Sequence, residues 1–184
     1  MEYRLIRSRR RTLAMEIGPK GLVVRAPYGT DLATVERFLA EHRAWIEKHL
    51  SRAEVRKEEA QSIPPLTKEE RKALIDRAKP IFAARVAYYA ERLGVTYGRI
   101  TVRSQRTKWG SCSAKGDLSF NGLLFLAPPQ VLDCIVVHEL CHRKEMNHSS
   151  RFYRAVYDVF PEYDTWHRWL KENGFRLLAR LPKE

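Results

Sequence analysis

The chain has no apolar run long enough to cross a bilayer, and no h-region of a secretory signal follows Met1. Cysteine is scarce. Three residues, Cys112, Cys134 and Cys141, make an odd number in 184 residues. That excludes a disulfide framework and points to a reducing compartment. Internal repeats and low-complexity tracts are also missing, which excludes solenoids and extended linkers. The string Asn147-His148-Ser149 fits a glycosylation sequon, but without a secretory signal it carries no weight. These absences lead us to expect a cytoplasmic protein with no membrane partner.

What is present suits a folded chain. Hydrophobic residues make up 44% of the sequence, and four Trp, eight Tyr and seven Phe supply large apolar surfaces. Lys and Arg number 34 against 22 Asp and Glu, a net charge of +12. The excess invites a nucleic-acid reading, but it is spread as +4, +3 and +5 over residues 1–60, 61–97 and 98–184. The only dense cluster is Arg7-Ser8-Arg9-Arg10-Arg11. No zinc finger, basic zipper or RNA-binding signature accompanies it. A basic, soluble surface explains the composition as well.

The first region, residues 1–65, reads as short strands at 3–7, 12–17 and 22–26, with a turn at Gly18-Pro19-Lys20-Gly21. A helix capped by Thr30 follows, with Val35, Phe38, Leu39, Trp45, Ile46 and Leu50 on its apolar face. Its charged end frays into a linker at Ser62-Ile63-Pro64-Pro65. The second region, residues 66–184, begins with the capping box Thr67–Glu70 and a helix reaching Leu93 that Pro80 should kink or divide. Strands are expected over 95–103 and 117–125, flanking the loop Arg106–Cys112. A helix should start at Pro128-Pro129, another at Ser149 or Ser150, and a last one should run from Pro161 to Asn173-Gly174.

The chemistry lies in His138-Glu139-Leu140-Cys141-His142. Residues four apart share a helix face, so two imidazoles there can meet one zinc ion. Glu139 is displaced by about 100° around the axis and is placed to take a proton from water instead of ligating. A catalytic zinc commonly has three protein ligands. On a continuous helix His148 would lie about 240° from His142 and about 9 Å further along. The helix must therefore stop first, and Asn147 in a left-handed conformation with Ser149-Ser150 as a cap would let His148 swing back. His167 is a second candidate without a spacing argument. A structural zinc closed by Cys134 or Cys112 is the competing reading; otherwise Cys134 and Cys141 are small buried residues.

These strings carry a resemblance. His138–His142 with Met146-Asn147-His148-Ser149 and Phe152, Lys108-Trp109-Gly110-Ser111-Cys112-Ser113, and Asn121 followed by Leu126-Ala127-Pro128-Pro129 resemble the YgjP-like zinc metallopeptidase family. So do Arg9-Arg10-Arg11-Thr12 and Trp45-Ile46, so the likeness covers nearly the whole chain. The family is similar to SprT-like and WLM proteases and, more distantly, to zincins. The resemblance implies an α+β, zincin-like catalytic domain: an active-site helix, a small antiparallel sheet and several helices, preceded by the N-terminal strands and helix. It implies one Zn2+ per chain held by His138, His142 and His148, with Glu139 as the catalytic carboxylate. Glu145 stands where metzincins have a turn glycine, which argues against membership of that group.

The expected reaction is peptide-bond hydrolysis, with a protein or peptide as substrate and Glu139 as general base toward a zinc-bound water. Tyr153, Tyr157, His167 and Arg106 are candidate oxyanion donors. Asp117–Asn121 is read either as a substrate-aligning edge strand or as an ordinary strand with Leu118 and Phe120 inward. Trp109, Trp166 and Trp169 are expected in the core, and His42 and His49 toward solvent. Two competing functions are a nucleic-acid-associated module acting at DNA-bound proteins, as SprT-like proteases do, and a zinc hydrolase of a non-peptide bond.

Overall fold

The computed structural model describes residues 1–18 and 21–182, so Pro19 and Lys20 of the expected turn lie outside the described residues. The chain forms two compact units, Met1–Ser62 and Ile63–Glu184.

In the first unit β1 (Arg4–Ser8), β2 (Ala14–Gly18) and β3 (Gly21–Pro27) form a sheet in the order β1-β3-β2. β1 runs parallel and β2 antiparallel to the central β3. Alternation along β3 turns Leu22, Val24 and Ala26 to one face, where they pack with Val35, Leu39 and Ile46 from the helices. The expected single helix is two: α1 (Leu32–Glu41), capped by Asp31 and not Thr30, and α2 (Arg43–Ser62). His42 separates them at φ −108°. α2 continues to Ser62 where a frayed end was expected; its Ala, Glu, Lys and Arg residues favour helix without burial. The basic cluster is partly consumed internally: Arg7 donates to the carbonyls of Pro27, Tyr28 and Thr30.

The second unit has the expected α+β class. α3 (Lys68–Leu93) starts at the capping box, in which Thr67 Oγ1 accepts from Glu70 N–H at 3.1 Å and Glu70 Oε2 accepts from Thr67 N–H at 2.8 Å. It is not divided at Pro80. Asp76, whose carbonyl loses its partner there, is exposed, so water can satisfy it. β4 (Ile100–Arg103), β5 (Gly110–Cys112) and β6 (Leu118–Asn121) form a sheet in the order β4-β6-β5. The sheet is mixed, with β4 parallel to β6, where an antiparallel one was expected. The strand reading of 117–125 stops at Asn121, whose Oδ1 accepts from Leu123 N–H and caps a 3-10 turn over Gly122–Leu126.

α4 (Pro129–Cys141) runs through the core with Val131, Val136, Val137 and Leu140 fully buried. α5 (Ser150–Val159) and α6 (Tyr163–Ala179) follow. The expected stop at Gly174 is wrong: α6 continues through it. A Cβ on Gly174 would lie 2.8 Å from the Trp109 ring, so this glycine serves close packing and not termination. The same contact seats Trp109 against the core, as expected.

Candidate metal centre

α4 delivers His138 and Glu139 from its last turn and ends at Cys141, with His142 as its C-cap. The chain then turns on bonds from Lys144 N–H and Glu145 N–H to the Cys141 carbonyl. No described non-glycine residue has positive φ, so Asn147 does not take the left-handed conformation expected of it. The break is made without it. Ser149 caps α5 by accepting from Phe152 N–H. His148 is thereby returned toward α4.

The imidazoles of His138, His142 and His148 offer ligand atoms that all lie within 4.8 Å of one another. His138 Nε2 and His148 Nε2 are 3.0 Å apart. Phe152, fully buried, sits beneath all three, its ring centre 4.8–5.0 Å from each imidazole. In two of them the other ring nitrogen is held by protein: His138 Nδ1 lies 2.8 Å from Tyr163 Oη, and His142 Nδ1 lies 3.2 Å from the Glu145 carbonyl. These bonds turn the Nε2 atoms inward. Burial drives the His138 pKa down to about 3, helped by the neighbouring imidazoles, and lowers that of His142. Neutral imidazole is the form that ligates a metal, so the donor set fits a zinc ion.

Glu139 is 6% exposed. Burial pushes its carboxyl up to about 7, while the Lys108 charge and a backbone hydrogen bond from Cys112 pull the other way. Such a value suits a group that must take and return a proton near neutrality.

Several expected neighbours stand elsewhere. His167 stacks on Tyr163 at 5.2 Å and is outside the histidine cluster. Cys134 and Cys141 are fully buried, with thiols pushed up to about 12 by burial, and neither they nor Cys112 joins the cluster. Arg106 donates to the Pro182 carbonyl, and Tyr157 to Asp164 at 3.1 Å. β6 is the central strand, so it cannot be the substrate-aligning edge; Leu118 and Phe120 are buried in it. Sequence reasoning missed Tyr163. It lies 25 residues beyond His138 on another helix, and no local spacing could announce it.

The family model for the YgjP-like metallopeptidase domain matches residues 11–71 and 64–173. The chain belongs to the YgjP-like family. Two solved structures are similar in part. The metallopeptidase zymogen of Pyrococcus abyssi abylysin is 23% identical, with a TM-score of 0.45, over 50% of this chain and 93% of that one. The zymogen of Methanocaldococcus jannaschii jannalysin is 21% identical, with a TM-score of 0.46, over 50% and 95%. No curated protein matches the chain. As a YgjP-like protein it carries a metallopeptidase domain, and its family implies a metal. No helix among the described residues is long and apolar enough to cross a membrane.

Proposed function

We propose that this chain is a zinc-dependent metallopeptidase whose catalytic domain is the second unit, with His138, His142 and His148 holding one zinc ion and Glu139 acting as general base. The observation that carries the reading is the convergence of three imidazoles, each from a different local setting, with ligand atoms within 4.8 Å of one another. When bound, zinc supplies Lewis-acid polarisation of the scissile carbonyl and lowers the pKa of water. The protein's own groups do the rest. Glu139 accepts a proton as water oxygen bonds to the carbonyl carbon, then delivers it to the amine nitrogen as the C–N bond breaks. Tyr163 keeps the His138 ring oriented through Nδ1. Tyr153, more than a third exposed and with its ring 6.4 Å from His148, is the best placed of the four candidate oxyanion donors.

The substrate is a peptide or protein chain. β5, not β6, is the strand beside α4 with one side unpaired by any described strand, and it can align an extended backbone.

The test compares two variants. Glu139→Gln should retain about one zinc per chain and lose peptide cleavage by about 10²–10⁴-fold. His142→Ala should lose both. Zinc content unchanged in His142→Ala would defeat the proposal. A zinc-loaded wild-type protein that hydrolyses another bond and no peptide would transfer the same site to a different hydrolase class.

A further inference from the structure

The string Lys108-Trp109-Gly110-Ser111-Cys112 ligates nothing in the proposed site. Its position nevertheless has a consequence. Gly110 opens β5 and pairs with Phe120 of β6. A Cβ at Gly110 would lie 2.6 Å from Oε1, 2.7 Å from Cγ and 2.9 Å from Cδ of Glu139. All three nearest atoms belong to that one side chain. Gly110 is not among the glycines with positive φ, so its backbone does not require glycine. The Glu139 side chain does.

The strand is fixed on both sides of this contact. Asn121, fully buried, donates its backbone N–H to the Trp109 carbonyl at 2.8 Å. Its Nδ2 donates to the carbonyls of Gln105 at 2.7 Å and Lys108 at 3.2 Å. The Trp109 ring is set against Gly174 of α6. Two further residues along, Cys112 pairs with Leu118 of β6 and keeps the strand in register. The segment thus lies directly against the Glu139 side chain, which is 6% exposed.

We infer that Gly110 is a positioning residue for Glu139, and that the Lys108–Cys112 segment, locked by Asn121 and Trp109, is the holder that aims this carboxylate. The inference rests on the reading of Glu139 as the general base. An added methyl group would push the Glu139 side chain away by about an ångström to restore ordinary contact, and a shift of that size costs on the order of 100-fold in rate.

The experiment is a double-mutant cycle of Gly110→Ala and Glu139→Ala, read by zinc content, melting temperature and peptide hydrolysis. Gly110→Ala should keep about one zinc per chain, lower kcat by about 100-fold with little change in KM, and lower the melting temperature. In the Glu139→Ala background, where the clashing atoms are gone, the same alanine should leave the melting temperature unchanged. Should Gly110→Ala fail to fold, folding of the double variant supports the inference, and failure of both overturns it. Wild-type kcat in Gly110→Ala, or an equal melting penalty in both backgrounds, also overturns it. A wild-type chain without peptidase activity would overturn the proposed function, while the melting-temperature cycle would still decide whether Gly110 positions Glu139.

Discussion

The two halves of α4 treat buried polar groups in opposite ways. Toward its start, Asp133 is closed off by protein: Arg85 from α3 meets both carboxylate oxygens, Nε to Oδ1 and Nη2 to Oδ2, each at 2.6 Å. The Arg85 guanidinium is further covered by the rings of Tyr88 and Tyr89, 4.9 and 5.1 Å away. Toward its end, the outer nitrogens of His138 and His142 are tied to protein, whereas the inner ones converge. A polar cluster whose every valence meets protein is fold. A cluster whose ring nitrogens approach one another to 3.0 Å offers several donor atoms to one cation. One helix therefore contributes Asp133 to a structural pair and, five residues on, His138 to the candidate metal centre.

The comparison breaks most visibly if the histidines are made apolar. Zinc at about 1,000 times its Kd should stabilise the wild-type protein by about 4 kcal/mol. His138→Leu combined with Tyr163→Phe should abolish that increment while leaving the metal-free protein about as stable, because a desolvated imidazole and its buried hydroxyl partner are both replaced by hydrocarbon. Denaturant unfolding with and without zinc measures both. The structural pair should behave in reverse. Asp133→Ala strands the Arg85 charge and should cost about 2 kcal/mol, less than for a fully buried pair because the Arg85 side chain is 35% exposed. Zinc affinity should not change. Replacing both partners by apolar residues should recover most of the loss, as unfolding midpoints of the single and double variants would reveal.

How much of this was legible in the sequence follows the range of the interactions. The shared face of His138 and His142, the offset of Glu139 and the need for a break before His148 follow from helix geometry within eleven residues. The Ser149 cap is equally local. Long-range partners were not legible. Gly174 looks like a helix stop until Trp109, 65 residues earlier, is seen against it. Asn147 looks like the left-handed residue of the turn, yet backbone bonds to Cys141 close that turn without it. Asp117–Asn121 could be an edge or a centre because strand order is set by pairing across the sheet, which alternation alone does not encode.

Tyr163 sharpens the contrast within the triad itself. It is 2% exposed, and its hydroxyl meets His138 Nδ1, the role a carboxylate or a carbonyl often takes beside a ligating histidine. Tyr163→Phe should weaken zinc binding by about 10–100-fold in a chelator competition. Tyr157→Phe removes a hydroxyl directed at Asp164 and should leave zinc affinity unchanged. Equal effects in the two variants would show that His138 is oriented by packing alone.

At neutral pH the smallest effect belongs to Cys134, one turn before His138 and the residue that could have made the centre a structural one. Its thiol is fully buried, 3.7 Å from the Tyr163 carbonyl, and burial pushes its pKa from the ordinary 9.0 up to about 12. Below pH 9 the thiol is protonated in both folded and unfolded chains, so pH does not act through it. Between pH 9 and pH 12 the unfolded chain releases the proton and the folded chain keeps it. Stability must therefore fall with rising pH in that window, by about 1.4 kcal/mol per pH unit from this group. Cys134→Ala should remove that share of the slope and leave zinc content at one per chain. A variant that lost zinc, or a slope unaltered by the substitution, would mean that the thiol belongs to the centre and not to the core.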